Sequence, residues 1–593
     1  MPFTRQTVPS GCGKYAINTP GLIAGAVGRS SEFGSLSIPS EGLEYGIPVD
    51  SRLQVHSMTD SVTLAPPPPR SSATALAGTV VAVALAMGLV ACASVPTDYD
   101  QPESRAYQDF QKTLLWHALA PAPEETVRGL SNFLVLDNGR DALFARLALI
   151  ELAEHSIDAQ YYEWHADATG VILGHALLEA ADRGVRVRLL IDGLKLGAER
   201  SGLVVFDVHP NIELRIYNPP GATFRGGLTF LVDALSDFER LNRRMHNKAF
   251  LVDNAAAVMG GRNIGDEYFG ASRELNYRDR DVLAVGTVVP EISALFDRYW
   301  NHDSAVPVAA YAAEDISEEM LRERRQELDT QIAKARETYP YDFDWNADRL
   351  RAQLPELRTR LVAAAAEVAA NPPGPDFADD TPVNKSSVLA MIGRYSNAAE
   401  HEIIIQDPLF MVPDYRHSAL LTLSRERNIT LALHTNSLAT SYGGLVHWPY
   451  TDVREDLLGV GMAIRELKPA TPPHARYAAA DRTTAQRSLH GKTTVIDRRY
   501  VYIGSFNMDL RSINLNTEVG LVINSPELAQ QIHSDIAADM APENSWRLFL
   551  NDDGDLRWSD DASGEVYAVD PLAGAHLHAG EVIGRLLPIE DLI

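Results

Sequence analysis

Apolar and polar residues along the chain follow helical and strand spacing in turn, and the same order of elements occurs in both halves. In the first half the pattern predicts helix, strand, helix and strand over residues 142–154, 157–162, 170–183 and 185–191. In the second half it predicts the same order over residues 388–399, 402–406, 414–427 and 429–434. Alternating helices and strands indicate α/β layers, so the sequence predicts two similar α/β lobes.

Each predicted lobe contains one copy of a four-part motif. The sequence HNKAFLVD begins at His246, and HGKTTVID begins at His490. Both copies read HxKxxxxD, and each is followed by a glycine-led turn that ends at Asn263 or Asn507, at the same distance from the histidine. Because the matched positions recur 244 residues apart, we expect two equivalent half-sites that meet at one reaction centre.

The spacing inside each copy separates reactive side chains from framework. The residues after each lysine are short, apolar or β-branched, which predicts a strand that a turn folds back as a hairpin. Side chains two apart share one face of a strand, so Lys248 and Lys492 point with their histidines. Asp253 and Asp497 lie an odd number of residues away and point to the opposite face. We expect these aspartates to hold the hairpins, through backbone groups or a nearby cation.

Two imidazoles, two ammonium groups and two amides are suited to attack on a phosphodiester. One histidine attacks phosphorus, and the other protonates the leaving alkoxide and then activates the incoming alcohol or water. The lysines, with Asn263 and Asn507 brought beside the histidines by the hairpins, bind the non-bridging oxygens where charge develops. The other histidines lack the spacing of metal ligands, so we expect a site that needs no metal or other cofactor.

Longer segments around these motifs resemble a known family. The chain resembles the phospholipase D superfamily, whose members carry two HxKxxxxD motifs. Over about residues 110–560 it is similar to bacterial cardiolipin synthases of the C type, in LNRRMHNKAFLVDN, GGRNIGDEYFG, FDRYWN, VREDLLGVGMAIRELKP and FNMDLRSINLNTEVGLVI. The resemblance implies two phospholipase D-like α/β/α sandwich lobes related by a pseudo-twofold axis, with the active site at their interface.

The resemblance also implies a division of roles. It implies that His246 is the nucleophile and His490 the general acid and base, although the residues alone treat the halves as equals. Family members use a carboxylate to orient each histidine through its far ring nitrogen, and in the second half Glu518 matches it. In the first half, strand alignment favours Asp281 and equal distance from the histidine favours Glu274. We prefer Asp281, because a loop insertion changes spacing more readily than it moves a strand.

The expected activity is a phosphatidyltransferase that forms cardiolipin. Its expected substrates are phosphatidylglycerol and, from the resemblance, phosphatidylethanolamine as a further donor, both met at a membrane surface. Water at roughly 55 M competes with the lipid acceptor, so transfer requires a bound acceptor and a closed site. A hydrolytic phospholipase D that releases phosphatidic acid is the main alternative, followed by a nuclease and by a catalytically silent envelope scaffold.

The net charge and the number of cysteines argue against two classes of protein, nucleic-acid-binding proteins and disulfide-rich domains. The formal net charge of −26 argues against a general nucleic-acid-binding protein, which would carry a basic surface. We therefore expect no nucleic acid as a partner. The only cysteines in the sequence, Cys12 and Cys92, offer no disulfide framework.

An apolar run near the N-terminus predicts that the protein is located in the cell envelope. Residues 73–91 are uncharged, follow Arg70 and precede Cys92. This pattern resembles a bacterial lipoprotein signal in which Cys92 is acylated, and an uncleaved membrane anchor is the alternative. Either interpretation places the catalytic lobes on the periplasmic side. The run is late for a signal, so we expect residues 1–57 to be an extension that is not made or is disordered.

The predicted segments are an N-terminal extension (1–57), a signal or anchor (58–92), a linker (93–130), a first lobe (131–305), a charged helical insertion (306–384) and a second lobe with a C-terminal extension (385–593). Residues 312–370 are predicted to be helical throughout, with charges of both signs. A solvated helical hairpin that packs on the lobes is favoured over a membrane-facing or gating insertion. After Asn544, short strands are expected to complete the second lobe.

Overall fold

The computed structural model describes residues 99–194, 209–220, 238–311, 318–341, 347–374, 387–411, 419–470 and 485–586. The predicted N-terminal extension, the signal or anchor segment and Cys92 lie outside these ranges, as does the first part of the helix predicted over 414–427. Within the ranges, none of the helices combines the length and the apolar character that crossing a bilayer requires.

The first lobe is a mixed sheet with helices on its faces. Its strands are β1 (Ser131–Leu136), β2 (Ser156–Tyr161), β3 (Arg186–Asp192), β4 (Ile212–Tyr217), β5 (Ala249–Val252), β6 (Ala256–Gly260), β7 (Leu275–Arg278), β8 (Asp281–Gly286) and β9 (Ala305–Pro307). Its helices are α1 (Leu114–Leu119), α2 (Pro123–Val127), α3 (Gly139–Leu152), α4 (Ala168–Asp182), α5 (Phe238–Asn242) and α6 (Val288–Trp300). The sheet order is β1-β8-β6-β5-β2-β3-β4-β9.

Two helices link the lobes, α7 (Glu318–Thr338) and α8 (Ala347–Arg360). The strands that follow are β10 (Val362–Ala370), β11 (Glu402–Gln406), β12 (Thr430–Asn436), β13 (Ala463–Leu467), β14 (Gln486–Leu489), β15 (Thr493–Ile496), β16 (Tyr500–Gly504), β17 (Val519–Asn524), β18 (Ser545–Leu550), β19 (Leu556–Asp560) and β20 (Glu565–Tyr567). The helices are α9 (Ser387–Asn397), α10 (Gly444–Gly459), α11 (Leu510–Asn514), α12 (Pro526–Asp539) and α13 (Ala575–Leu586).

The second sheet repeats the first. Its order is β10-β17-β16-β15-β11-β12-β13-β18-β19-β20. The first eight strands match the first lobe in order and in parallel or antiparallel pairing, so the predicted pair of equivalent α/β lobes is confirmed. Strands β1 and β10 pair with each other and join the sheets, and β7 and β14 form a separate parallel ribbon between the lobes.

The expectation of helix throughout residues 312–370 is wrong for its last part. Helices α7 and α8 are present, but Val362–Ala370 forms strand β10. Alanine favours helix when nothing else decides, but here the first residues of β10 pair with β1 and the remainder pairs with β17. Strand pairing with both lobes therefore overrides the local propensity. As the counterpart of β1, β10 starts the second sheet well before the expected boundary at residue 385.

Both predicted hairpins are present. β5 pairs with β6 and β15 pairs with β16, both antiparallel. Asp253 and Asn254 turn the first hairpin with φ of 53° each, and Asp497 and Arg498 turn the second with φ of 52° and 48°. Two successive residues with positive φ match the twist of paired strands, which is why short polar residues stand at three of these positions.

The two motif aspartates hold the hairpins to the neighbouring strands. Asp253 accepts hydrogen bonds from the backbone N–H groups of residues 154–156 at 2.7–2.9 Å. Asp497 accepts the equivalent bonds from residues 400–402 at 2.8–3.0 Å. The predicted framework role of both aspartates is confirmed, through backbone groups.

Apolar residues form three cores, one on the outer face of each sheet and one between the lobes. The middle core contains residues of α6 and α12, one helix from each lobe. The linking helices pack on the first lobe, α7 on α4 and α8 on α1 and α3, and most of their described side chains are exposed. After Asn544 the expected strands are present as β18 and β19.

Candidate active site

His246 and His490 lie just before β5 and β15, at equivalent places in the two lobes. The backbone N–H of His246 donates to the carbonyl oxygen of Thr517 at 2.9 Å, and that of His490 donates to the carbonyl oxygen of Arg278 at 2.8 Å. Each acceptor belongs to the opposite lobe, and the residue after each acceptor is acidic. The lobes therefore hold each other's histidine by its backbone.

A carboxylate from the opposite lobe binds Nδ1 of each histidine. Both carboxylate oxygens of Glu518 lie 3.0 Å from Nδ1 of His246. Oδ2 of Asp279 lies 2.6 Å from Nδ1 of His490. A hydrogen bond at Nδ1 fixes the ring and leaves Nε2 for chemistry. Because the pairs cross between lobes, neither lobe alone contains a complete half-site.

The carboxylates expected within each lobe are corrected by these contacts. Glu518 binds His246, the histidine of the other lobe, rather than the one in its own. Asp281 does not contact a catalytic histidine; its carboxylate is buried and lies 2.9 Å from Nη2 of Arg146. Glu274, the other candidate, is exposed. The residue that the sequence analysis missed is Asp279.

Strand register explains the error. In the first lobe Gly260 of the hairpin pairs with Asp281, and in the second Gly504 pairs with Gly520. The orienting glutamate lies two residues before Gly520, so its counterpart lies two residues before Asp281, at Asp279. Matching the starts of the apolar runs had shifted the alignment by two residues. Counting along the sequence from the hairpin glycines leads to Glu274, so only the strand pairing identifies Asp279.

Both motif lysines are buried beside their histidines, on the face that the strand period predicts. Nζ of Lys248 donates to the carbonyl oxygen of His246 at 2.7 Å. Nζ of Lys492 donates to the carbonyl oxygen of His490 and lies 3.1 Å from Nδ1 of the same residue. An ammonium group has three N–H donors, so each lysine retains donors for a substrate oxygen.

Burial dominates the electrostatics of the centre. Burial, with the two lysines, lowers the pKa of His246 well below the ordinary value and that of His490 to about 4. Burial also lowers the pKa of Lys248 to about 7 and lowers that of Lys492. Each lysine thus acts on the histidine of the other lobe, which indicates that the four groups surround one centre. Without substrate, both histidines are neutral at pH 7.

The two orienting carboxylates differ in their charge state. Burial raises the pKa of Glu518 to about 7, against the opposing effect of Lys248. Burial also acts to raise the pKa of Asp279, but His490 and Lys492 outweigh it and hold this pKa well below its usual range. At neutral pH, Asp279 is therefore ionised and Glu518 is close to the midpoint of its titration.

Two serines that the sequence analysis did not identify support Glu518. The hydroxyl of Ser505 donates to Oε2 of Glu518, and that of Ser512 donates to Oε1 at 2.8 Å. These bonds fix the carboxylate on both sides. Serine hydroxyls are common in any chain, and no spacing in the motif marks these two, so only the fold identifies them.

Asn263 and Asn507 occupy equivalent positions but differ in their partners. Nδ2 of Asn263 donates to the hydroxyl of Tyr268 at 3.0 Å, and its Oδ1 accepts the backbone N–H of Glu163 at 3.3 Å. Oδ1 of Asn507 is buried and has no hydrogen-bond partner among the described residues. Buried polar atoms are nearly always paired, so this oxygen is available to accept a hydrogen bond from a substrate hydroxyl.

Tyrosine rings surround the two histidines unequally. The ring of Tyr162 lies 5.2 Å from that of His246. Three tyrosine rings lie around His490, namely Tyr268, Tyr277 and Tyr442 at 5.1, 5.2 and 6.3 Å. The hydroxyl of Tyr268 also donates to Oε2 of Glu163 at 3.0 Å. The His490 half therefore has the more aromatic surroundings.

A group of potential metal ligands lies next to these residues. Nδ1 of His165 lies 3.2 Å from Glu267 and 4.0 Å from Asp167, close enough for the three to hold a metal ion. Hydrogen bonds to Glu163 and Glu267 raise the pKa of His165 to about 10. A metal ligand must be a neutral imidazole, so a cation at this place would compete with the proton on His165.

Comparison with known proteins agrees with this geometry. A family model described as "Cardiolipin synthase, PLD-like domain" matches residues 147–300 and 393–540. Cardiolipin synthase C of Escherichia coli is 36% identical over 470 residues, which cover 78% of this chain and 97% of that protein. Cardiolipin synthase 1 of Bacillus anthracis is 26% identical, over 72% and 70% of the two chains. The crystal structure of phosphatidylserine synthase from Haemophilus influenzae has a similar fold, with a TM-score of 0.50, 13% identity and coverage of 80% and 97%.

Proposed function

The chain belongs to the phospholipase D-like family of cardiolipin synthases, and on that premise we propose that it forms cardiolipin by transferring a phosphatidyl group to phosphatidylglycerol. It is an enzyme of the phospholipase D type, a phosphatidyltransferase that acts on phospholipids. The observation that carries the proposal is the pair of buried histidines, each bound at Nδ1 by a carboxylate of the opposite lobe.

In the first step, Nε2 of His246 attacks the phosphorus of the donor phospholipid. A P–N bond forms, the bond to the headgroup oxygen breaks, and His490, which takes up a proton on Nε2 as the anionic donor binds, protonates the leaving alkoxide. Phosphatidylglycerol as donor releases glycerol, and phosphatidylethanolamine releases ethanolamine. Lys248, Lys492 and the Asn507 amide bind the non-bridging oxygens.

In the second step, the phosphatidyl group passes to the acceptor. Neutral His490 takes the proton from a glycerol hydroxyl of phosphatidylglycerol as that oxygen attacks phosphorus. The new P–O bond forms, the P–N bond breaks, and His246 is regenerated. The two steps use the same groups in reverse roles, which is what a centre built from two equivalent halves supplies.

The surroundings of the histidines support this order of roles. Asp279 is ionised and raises the pKa of His490 against the opposing effects of burial and the lysines, which favours the protonated form that a general acid requires. The anionic phosphate of the substrate adds to that effect. Burial keeps His246 neutral, which a nucleophile requires.

Burial of both histidines also favours transfer over hydrolysis, because a closed site limits the access of water to the intermediate. A hydrolytic phospholipase D would use the same residues with water as acceptor. The lipid product therefore decides between them.

The test is expression in a bacterial strain that lacks cardiolipin, followed by lipid extraction. We expect cardiolipin from the wild type and from the matched control His175→Ala, which changes a histidine on α4 away from the site. His246→Ala should produce none. Phosphatidic acid without cardiolipin would favour the hydrolase, and neither product from a well-expressed wild type would reject the proposal.

We further propose that the enzyme acts at the cell envelope, with its lobes on the periplasmic side. The apolar run over residues 73–91 followed by Cys92 supports this. Labelled palmitate should be incorporated into the wild type and not into Cys92→Ala. Incorporation into both would reject Cys92 as the lipidation site.

A further inference from the structure

The last described helix, α13, presents its apolar residues outward. Most surface helices bury an apolar stripe and expose polar residues. In α13 the exposed positions include Ala575, Ala579, Val582, Ile583 and Leu586, which recur at helical spacing and form one stripe. The three larger side chains are 56%, 53% and 78% exposed. We call these five residues the outer stripe.

The packed face of α13 includes Leu577, two glycines and a buried glutamate. It lies on α10, and a Cβ added at Gly584 would lie 2.0 Å from the ring of Trp448. Glu581 is buried on the same face and lies 3.2 Å from Nδ1 of His447. At the edge of the contact, Arg585 pairs with Asp452 of α10. Close helix contact at glycine and the buried contact between Glu581 and His447 fix the rotation of α13, so they also fix the outward direction of the stripe.

Helix α10, on which α13 packs, begins near the reaction centre. Tyr442, two residues before α10, lies beside His490, and its hydroxyl donates to the carbonyl oxygen of Leu489 at 3.1 Å. Gly580 of α13 lies against the backbone of Leu445, near the start of α10. Tyr442 and Leu445 are themselves partly exposed apolar side chains. Helix α13 thus lies against the start of α10, close to exposed side chains of which one, Tyr442, lies beside the catalytic histidine.

We propose that the outer stripe of α13 inserts into the surface of a phospholipid bilayer and brings the reaction centre to its lipid substrates. The inference rests on the proposed function, because it takes both substrates to be lipids of a bilayer. Many proteins bind membranes through a helix that lies in the plane of the interface, with its apolar face buried about 5–10 Å into the boundary between headgroups and acyl chains.

The charge of the chain favours an apolar contact over an electrostatic one. A protein with a formal net charge of −26 is repelled by anionic lipids such as phosphatidylglycerol. The exposed stripe carries no charge, so its contact with acyl chains avoids that repulsion. We therefore expect the contact to be insensitive to added salt, unlike the binding of a basic patch.

The direct test is photocrosslinking of the full chain in vesicles of phosphatidylethanolamine and labelled phosphatidylglycerol. Ile583→p-benzoylphenylalanine should form a lipid adduct. The matched control Val127→p-benzoylphenylalanine, at an apolar residue of α2 that is 88% exposed, should not. A crosslink from position 583 to a second copy of the chain, or equal lipid labelling at both positions, would overturn the inference.

A second test compares two forms of substrate. The triple variant Val582→Ser, Ile583→Ser, Leu586→Ser should transfer phosphatidyl groups at least about tenfold more slowly on vesicles, because it loses apolar contact with the lipid. It should match the wild type on a dispersed short-chain phospholipid, and its unfolding midpoint should not change. Val127→Ser should match the wild type on both substrates.

The outcomes separate this inference from the proposed function. A triple variant as active as the wild type on vesicles would overturn the inference, and so would an equal loss on both substrates or a lower unfolding midpoint, since the stripe would then be packed against protein. A wild type that forms no cardiolipin but labels lipid at position 583 would reject the proposed function and leave membrane insertion supported.

Discussion

His246 and His490 stand at the start of equivalent hairpins, yet the groups around them differ. In both halves the motif aspartate accepts three backbone hydrogen bonds, and the motif lysine donates to the carbonyl oxygen of its histidine. In both, the opposite lobe supplies the carboxylate at Nδ1. The shared features belong to the backbone and to the residues that fix it.

The two halves differ in the polar side chains around each histidine and in the charge of the carboxylate that binds it. Glu518 is held by two serine hydroxyls and has its pKa raised by burial to about 7, whereas Asp279 stays ionised. Asn263 is hydrogen-bonded to protein, whereas Oδ1 of Asn507 has no partner in the described part of the chain. A repeated fold thus provides one symmetric frame, and unequal charge provides the two roles that transfer needs.

The largest effects should come from the histidines, and the leaving group should distinguish them. His246→Ala and His490→Ala should each lower kcat with natural lipids by roughly 10⁴-fold or more. A phosphatidyl ester of p-nitrophenol needs no protonation on departure. With it, His490→Ala should recover much of its rate and release a burst of p-nitrophenol, and His246→Ala should stay inactive. Recovery of His246→Ala instead would reverse the assigned roles.

The neighbouring aspartates should separate catalysis from stability. Asp279→Asn should lower kcat by about 10²–10⁴-fold, because the ring of His490 loses its charged partner. Asp281→Asn should lower the free energy of unfolding by about 3–5 kcal/mol, because Arg146 keeps a buried charge without its partner. Urea unfolding and kcat of the folded fraction measure the two effects. A larger loss of kcat in Asp281→Asn would restore the assignment made from sequence.

The pH profile should report the titration of Glu518. Below a pKa of about 7 its carboxyl is protonated and donates to Nδ1 of His246, so Nε2 carries the proton and cannot attack. Above that pKa the carboxylate accepts Nδ1–H, and Nε2 is free. The rate should therefore be greatest near pH 7. It should fall below that pH as Glu518 is protonated, and above it as Lys248, with its pKa lowered to about 7, loses its charge.

Two variants test whether Glu518 causes the loss of rate on the acidic side of the pH profile, the acidic limb, and Lys248 the loss on the alkaline side, the alkaline limb. Glu518→Gln should have a lower rate but no acidic limb near pH 7, because glutamine does not titrate. Lys248→Arg should keep the acidic limb and lose the alkaline one. An unchanged acidic limb in Glu518→Gln would contradict the assignment.

The smallest expected effect is on stability. Asp253 is fully buried, whereas Asp497 is partly exposed. Asp253→Ala leaves its backbone donors without water and should lower the free energy of unfolding by about 3 kcal/mol, and Asp497→Ala by about 1 kcal/mol. Equal losses by urea unfolding would show that solvent does not reach the second hairpin.

The sequence could predict the parts of the site that local spacing determines. The two-residue period of a strand predicted that Lys248 and Asp253 point to opposite faces. The repeated order of elements predicted that the two lobes are equivalent. The pairing of Glu518 and Asp279 with the histidine of the opposite lobe depends on contacts between lobes, which local spacing does not show. The loop before Asp279 is also longer than the loop before Glu518, so the two carboxylates lie at different distances from their motifs in the sequence. Residues 362–370 were predicted as helix for a similar reason, because their pairing partners lie far away in the chain.

The most direct measurement is the mass of the enzyme, and of its peptides after digestion, when it is quenched during turnover of a short-chain phospholipid. The account predicts an added phosphatidyl group on the peptide that contains His246, in larger amounts in His490→Ala with the p-nitrophenyl ester, where breakdown of the adduct is slow. An adduct on His490, or none on either histidine while product forms, would contradict a covalent relay between the lobes.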